Sequence, residues 1–346
     1  MEQDNSAVVR EDQRISRTDS RNVPPADGIK VPIPALHKLV ASIFKKVPVP
    51  DEHAELIAEL LIDTELRGVV SHGVKQVKRY VRSYQEGKTN PRPRVRTIKE
   101  GPTTAAFSGD GGLGMIVATR AMRTAMAKAK QMGVAATTAT YHAHLGSTGK
   151  YVRMALSENM IGIAFSGRSA APEYDRSGTI HGSIQGSPPL AFGMPSGPDH
   201  PPFLLDMASR MLWDEDLFRR MPQFYFKAIG ISHVANIMSG TLGGQMLPPF
   251  DRRKIKYSDA DQSGFFMALD ITRFVELESF RDDIDHLMAE VSQMTPMPNF
   301  RSADLPGGSE WKREKAYRRD GISIGEETKK TLEELAGEFK LSVPWG

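Results

Sequence analysis

Residues 103–140 read TTAAFSGDGGLGMIVATRAMRTAMAKAKQMGVAATTAT. Residues 103–107 predict a short strand, the glycine run 109–114 predicts a turn, and residues 118–130 predict a helix. A second strand is predicted over residues 134–140. Because a strand, a helix and a strand follow one another, this segment indicates an α/β fold in which helices cover a sheet.

The flanking sequence extends this pattern in both directions. On the N-terminal side, apolar residues at helical spacing predict helices at about 35–46, 51–67 and 74–85. On the C-terminal side, strands and helices alternate again. The strands are predicted at 161–165, 203–205 and 265–269, and the helices at 151–159, 226–240, 276–293 and 326–339.

Shifts in composition divide the chain into four parts. Residues 1–29 are polar and contain few apolar side chains, which predicts a flexible tail. Residues 30–100 form an N-terminal helical region, and residues 101–260 form the α/β core. We expect residues 261–346 to form a strand and helices that pack back on this core.

The composition excludes several classes of protein. The 346 residues include no cysteine, which rules out disulfide scaffolds, thiolate zinc sites, iron–sulfur clusters and cysteine nucleophiles. No apolar run approaches the roughly 18–20 residues that a membrane span needs. Charged residues are spread through the first thirty positions, with no secretory apolar core among them. We therefore expect a cytoplasmic protein that does not span a membrane.

The formal net charge is only +3, but its distribution is uneven. Residues 67–99 contain ten basic residues against the single acid Glu86. Such a segment either attracts phosphate or carboxylate groups or forms a solvated helix face followed by a polar loop. It lacks interleaved aromatic residues and any known nucleic-acid motif, so the sequence does not favour a nucleic-acid partner.

The glycine run has two interpretations. Gly109, Gly111 and Gly114 match GxGxxG between a strand and a helix, where free backbone N–H groups can seat a pyrophosphate. The next strand, however, ends near Thr140 without an acidic residue that would bind a ribose. A tight structural turn is the alternative.

Histidines occur at two places that favour chemistry. His72 lies in Ser71-His72-Gly73, just after a predicted helix and among basic residues, where an imidazole can transfer a proton near neutral pH. His142 and His144 follow a predicted strand, at the end of a sheet where ligands gather in α/β proteins. No carboxylate cluster accompanies them in the sequence, so we predict no metal site.

Two further charged residues stand in apolar surroundings. Asp206 ends an apolar strand, where it either fixes the tautomer of a histidine and raises its pKa or caps the following turn. Lys227 follows the aromatic run 224–226, which fits either a contact with an anion or a surface lysine with a buried stem.

Many short motifs fall in the order found in one protein family. They are Leu66 to Gly73, Tyr80, Gly87, Asn90-Pro91, Gly109 to Gly114, His144 to Gly146, Leu205 to Ala208, Phe226-Lys227 and Leu305 to Gly307. Over residues 35–340 the sequence resembles the malate/L-lactate dehydrogenases that are distinct from Rossmann-type lactate dehydrogenases. Relatives in that family include ureidoglycolate and sulfolactate dehydrogenases and diketogulonate and piperideine-carboxylate reductases.

This resemblance implies a mixed-sheet fold that binds NAD or NADP without the Rossmann glycine fingerprint. It also implies a homodimer and hydride transfer between nicotinamide and a 2-oxo acid, a 2-hydroxy acid or a related cyclic imine. The sequence leaves the choice between NAD and NADP open.

The family's site residues can be carried over position by position. His72 would be the acid/base, His144 a second polar or acid/base group, and Asp206 the residue that orients and charges His72. The substrate pocket would be lined by Ser71, Gln76 and Tyr80. The cofactor side would contain Gly186, Ser187, Pro188, Lys227, Pro306 and Gly307.

Two departures from the family pattern support an alternative. Gln76 occupies the position where the family has an arginine that clamps the substrate carboxylate, and a neutral amide cannot replace a bidentate guanidinium. The segment 207–226, which helps to close the active site in relatives, is much shorter here. The sequence therefore predicts an NAD(P)H-dependent oxidoreductase, or else a repurposed homologue that keeps the dimeric fold as a binding or regulatory protein.

Overall fold

The computed structural model of the chain describes residues 25, 28–168, 176–183, 187–208, 215–244, 256–298 and 300–345. The α-helices are α1 Ile33–Phe44, α2 Asp51–Leu66, α3 Val77–Gln85, α4 Gly114–Met132, α5 Gly149–Leu156, α6 Glu215–Arg220, α7 Pro222–Asn236, α8 Leu277–Ser292, α9 Gly308–Asp320 and α10 Glu326–Glu338. The strands are β1 Ile29–Val31, β2 Arg96–Glu100, β3 Thr104–Ser108, β4 Val134–His142, β5 Met160–Gly167, β6 Pro189–Met194, β7 Phe203–Ala208, β8 Gln262–Asp270 and β9 Ile322–Ile324.

Seven strands form one mixed sheet in the order β2-β3-β4-β8-β5-β6-β7. Strands β3 and β4 are parallel and are joined by α4, whereas the other neighbouring pairs are antiparallel. Helices α4 and α5 pack their alanine and methionine side chains on the sheet. The predicted α/β class with a mixed sheet is confirmed.

Strand β8 lies in the middle of this sheet, between β4 and β5. Its residues 263–266 are all buried, as expected for a strand covered on both faces. The sequence analysis placed β8 in a C-terminal region that begins at residue 261. The sheet crosses that division, because its central strand comes from this later part of the chain.

The N-terminal helices form a second core with the end of the chain. Helices α1, α2 and α3 pack with α10, and β1 pairs antiparallel with β9. Residues 1–24 of the predicted tail lie outside the described residues. Helix α9 was not predicted, because its only buried residues are Gly308 and Tyr317 and it shows no apolar periodicity.

The strand directions bring several chain segments to one edge of the sheet. Strands β3, β4, β5 and β7 end at this edge, and β6 and β8 begin there. The residues at this edge are Ser108, His142, Gly167, Pro189, Ala208 and Gln262. In the described part of the chain, no helix is long and apolar enough to cross a membrane.

Candidate active site

The predicted histidines meet at this sheet edge. The segment 143–148 follows β4, and it faces residues 70–76, here called the histidine turn, which connect α2 to α3. The rings of His72 and His144 have centroids 5.6 Å apart. The hydroxyl of Tyr80, on α3, lies 2.6 Å from His144 Nδ1. The structure therefore brings together three residues that were singled out in different parts of the sequence.

Each imidazole has a hydrogen-bonding partner of its own. Ser71 Oγ lies 2.8 Å from His72 Nδ1. Burial raises the pKa of Tyr80, so its hydroxyl keeps its proton and can donate a hydrogen bond to His144 Nδ1. In that arrangement, the proton of neutral His144 is on Nε2. These bonds orient both rings.

Gln76 connects the histidine turn to a neighbouring cation. Its Nε2 donates to the Ser71 carbonyl at 2.7 Å, and its Oε1 accepts from Arg79 Nη1 at 3.4 Å. Arg79 lies one helical turn further along the chain and is exposed. The site thus keeps a guanidinium close to the position where the family pattern has one.

Burial holds both histidines in their neutral forms. It lowers the pKa of His72, and the positive charges of Lys150 and Arg79 lower it further, although the Asp206 carboxylate opposes them. Burial also places the pKa of His144 well below its ordinary value, and the charges of His72, Arg79 and Lys150 act in the same direction. Near pH 7, both imidazoles are therefore neutral.

The buried carboxyl group of Glu65 is hydrogen-bonded to the backbone of the histidine turn. Glu65 Oε2 accepts a hydrogen bond of 2.8 Å from the Val74 backbone N–H, and burial raises the pKa of Glu65 to about 7. A Cβ at position 73 would collide with this carboxylate, so glycine is required there. The Ser-His-Gly sequence therefore allows the turn to close over Glu65.

Asp206 lies at the site, but its main contacts differ from the prediction. One carboxylate oxygen accepts from Thr148 Oγ1 at 2.8 Å and the other from the Gly149 N–H at 2.9 Å. These bonds cap the start of α5. Asp206 raises the pKa of His72 through its charge, but burial outweighs this effect and the net pKa is lowered. The effect of Asp206 on the pKa of His72 thus has the predicted direction, and its role toward His72 stays a prediction.

His142 and His144 have different surroundings. His142 is fully buried against the glycine run, and its Nδ1 donates to the Ala143 carbonyl at 2.7 Å. Burial lowers the pKa of His142 to about 4, so it stays neutral. Within the described ranges, no three His, Asp or Glu side chains are grouped as a metal site would need.

A polar cavity of about 110 Å³ opens beside His144. Its lining includes Arg79, Tyr80, His144, Arg168 and Asp261. Arg168 Nη1 lies 3.2 Å from Asp261 Oδ2. Because Arg168 is paired with Asp261 and Asp259 also lines the recess, Arg79 is the guanidinium in its wall that is placed to meet an anionic ligand.

The glycine run forms a structural turn. The N–H groups of Gly109, Gly111 and Gly114 donate to the carbonyls of Thr140, Tyr141 and His144, at 2.8, 2.9 and 3.2 Å. These donors are already used within the protein and are not free to bind a pyrophosphate. Of the two interpretations, the structure supports the tight turn.

The residues predicted for the cofactor side are spread over three places. Gly186 lies outside the described residues, while Ser187 and Pro188 precede β6 at the same edge as His144. Lys227 is exposed on α7, which packs on β5 and β6. Pro306 and Gly307 contact the start of β7, where the Pro306 carbonyl accepts from the Leu204 N–H at 2.9 Å, and they therefore lie at the opposite end of that strand.

Sequence reasoning missed Lys150 and Glu65. Lys150 lies in the first turn of α5, is only 1% exposed and influences both histidines. Nothing local distinguishes it from a surface lysine, because its burial depends on the segment 143–148 folding over it. Glu65 precedes the recognised motif by one residue, and its position on the buried face of α2 was the available signal.

Comparison with known proteins gives a consistent result. The family model for malate/L-lactate dehydrogenase matches residues 31–213 and 220–333. The malate dehydrogenase of Pyrococcus horikoshii is 30% identical over 89% of this chain and 94% of that protein, and the L-sulfolactate dehydrogenase of Methanocaldococcus jannaschii is 26% identical over 88% and 96%. The solved structure of the Pyrococcus horikoshii malate dehydrogenase superposes with a TM-score of 0.77 at 28% identity and covers 93% of this chain and 98% of that one. The chain belongs to the malate/L-lactate dehydrogenase family, a family of NAD-dependent dehydrogenases and reductases that act on hydroxy acids.

Proposed function

We propose that the protein is an NAD(P)-dependent oxidoreductase that interconverts a 2-hydroxy acid and a 2-oxo acid or a related cyclic imine. The observation that carries this proposal is the neutral pair His72 and His144, with ring centroids 5.6 Å apart beside the exposed cation Arg79. A neutral imidazole can accept and return a proton or donate a hydrogen bond, and a guanidinium can bind a carboxylate.

The residues at the sheet edge suit a dinucleotide. Ser187 offers a hydroxyl and Arg168 a guanidinium at the edge that carries His144, and both groups can donate to phosphate or amide oxygens. With Lys227 on α7, these are the residues that would hold the cofactor. A nicotinamide ring, when bound, exchanges a hydride with the substrate carbon that bears the oxygen.

The chain's own residues would handle the proton. In the direction of alcohol oxidation, Ser71, whose Oγ lies 2.8 Å from His72 Nδ1, would accept a hydrogen bond from Nδ1–H, and the lone pair on His72 Nε2 would take the hydroxyl proton of the substrate. With Tyr80 donating to Nδ1, His144 would carry its proton on Nε2 and donate a hydrogen bond to the same oxygen or to the carboxylate. In the reverse direction, His72 returns the proton to the oxygen as the carbonyl is reduced.

Arg79 would bind the substrate carboxylate. Gln76 holds it at 3.4 Å through its amide oxygen, and the guanidinium lies in the wall of the cavity beside Tyr80 and His144. We propose that Gln76 therefore positions the carboxylate-binding cation and does not itself bind the carboxylate.

The first test is calorimetric titration of the purified protein with NADPH and with NADH, followed by a screen of 2-oxo acids and cyclic imines for cofactor oxidation. We expect saturable micromolar binding of one cofactor and turnover of at least one 2-oxo acid. Binding without turnover of any compound in the screen would favour the repurposed homologue. Failure to bind either cofactor would contradict the proposal.

The resemblance also implies a homodimer, and the composition indicates a cytoplasmic protein; both remain predictions. Light scattering coupled to size-exclusion chromatography tests the first, with a mass near twice the 38.2 kDa of the chain as the expected result.

A further inference from the structure

One buried cation takes no part in the proposed chemistry. Lys150 is 1% exposed, and its Nζ has no hydrogen-bond partner among the residues that the structure describes. A buried ammonium without a hydrogen-bonding partner is costly, so such a group is unusual unless it acts on something nearby.

The backbone near Lys150 leaves room for its ammonium group. Gly146 has φ +80°, and a Cβ at that position would collide with Lys150 Nζ. Gly146 lies only two residues after His144, in the segment 143–148. The ammonium is therefore enclosed by the segment that presents His144 to the site.

Three other charged residues act on the ammonium of Lys150. Asp63 and Asp206 attract its proton and Arg67 repels it. Both carboxylates have other partners, since Asp63 lies 2.9 Å from Arg153 Nε and Asp206 accepts from Thr148 and Gly149. The attraction therefore does not offset the burial, which lowers the pKa of Lys150 to about 7.

We propose that Lys150 is a positioning residue whose buried ammonium, packed against the segment that carries His144, helps burial to keep His72 and His144 uncharged, so that His72 is ready to accept the substrate proton and His144 to donate a hydrogen bond. Its positive charge disfavours a second positive charge on either ring. The other charges that act on the pair are Asp206, which opposes this effect on His72, and Arg79, which reinforces it on both rings. His72 and buried His142 also disfavour a positive charge on His144.

The inference rests on the proposed function only for its catalytic consequence, so it can be tested without a substrate. Histidine ring signals of the full chain are followed by NMR across pH, in the wild type and in Lys150→Met. Loss of the ammonium should raise the titration midpoints of His72 and His144 by about one pH unit. Single substitutions of each histidine assign the signals.

Lys128→Met is the matched control. Lys128 is also largely buried, on α4, but it is paired with Glu100 at 2.9 Å and is not among the charges that act on either ring. This variant should leave both midpoints unchanged. Lys150→Gln serves as a second neutral variant, and Lys150→Arg, which keeps the charge, should restore the low midpoints.

Unchanged midpoints in both neutral variants would overturn the inference. If the enzyme is active, the acidic limb of its kcat/KM profile for alcohol oxidation should move to higher pH in Lys150→Met, because the base is then protonated at higher pH. An inactive wild type that shows the NMR shift would contradict the proposed function alone. An active wild type without the shift would contradict this inference alone.

Discussion

The histidine turn and helix α7 both contain predicted site residues, but their surroundings differ. In the histidine turn, Ser71, His72 and Gln76 are joined by hydrogen bonds of 2.7–2.8 Å, and Glu65 supports the turn from below. Helix α7 instead exposes apolar side chains around Lys227, with Phe226 63% and Val234 53% exposed. The groups proposed for proton transfer are therefore held by hydrogen bonds within the described chain. The exposed side chains on this face of α7 are much less constrained.

The largest difference between these regions should be in catalysis. His72→Ala removes the proposed acid/base and should lower turnover by a factor on the order of 100 or more, because general acid–base catalysis contributes that much. Cofactor affinity, measured by calorimetry, should stay the same. His37→Ala, at a partly exposed position on α1, is the matched control. A His72→Ala enzyme with wild-type turnover would remove His72 from the mechanism.

The contact between Glu65 and the histidine turn should affect the free energy of unfolding. The pKa of Glu65 is about 7 in the folded protein, compared with 4.5 for an ordinary glutamate. Between these two pH values the folded protein binds more protons than the unfolded chain, so it loses stability as the pH rises through this range. Glu65→Gln can keep the bond to the Val74 N–H without ionising. Between pH 5 and pH 8 it should therefore lose less stability than the wild type, by up to about 3 kcal/mol. Urea denaturation at the two pH values measures this, and equal losses would contradict the assignment.

Substitution of Arg79 tests whether this residue, three positions after Gln76, binds the substrate carboxylate. Arg79→Met should raise KM for a 2-hydroxy acid about 10-fold, since a charge-assisted hydrogen bond contributes about 1.5–3 kcal/mol. We expect kcat to change much less. Arg123→Met, on the outer side of α4, should change neither constant. A similar rise in KM for both variants would mean that overall charge is responsible.

The smallest effect is expected on α7. Phe226 is exposed, so Phe226→Ser should change the free energy of unfolding by no more than about 0.5 kcal/mol. Thermal denaturation monitored by circular dichroism provides this value. A loss above 2 kcal/mol would show that this face of α7 is covered in solution, and the contrast with the histidine turn would no longer hold.

Local periodicity was enough to predict much of the sheet and its helices. Helix α4 was predicted from its spaced alanine and methionine residues, and β8 from its continuous apolar run. Helix α9 was missed because almost all of it is polar. The position of β8 in the centre of the sheet and the pairing of β1 with β9 join residues that are far apart in sequence, so spacing alone could not predict them.

Part of the candidate site could be predicted, because the order of the motifs indicated which residues belong to it. The motifs placed His72, His144 and Tyr80 together, and the structure has them in contact. The environment of each group was not predictable, because burial is a property of the whole fold. Lys150 has the sequence context of a surface residue but lies buried, and burial outweighs the charge of Asp206 on His72.

The central claim is that this site transfers a hydride between a 2-hydroxy acid and nicotinamide while His72 takes the proton. The most direct test incubates the protein with 2-hydroxy acids deuterated at C2 and with NAD⁺ or NADP⁺, and analyses the reduced cofactor by mass spectrometry. The account predicts that one deuterium is transferred to the cofactor by the wild type and that transfer by His72→Ala is at least about 100-fold slower. A wild-type protein that binds the cofactor but transfers no deuterium from any of these acids would contradict it.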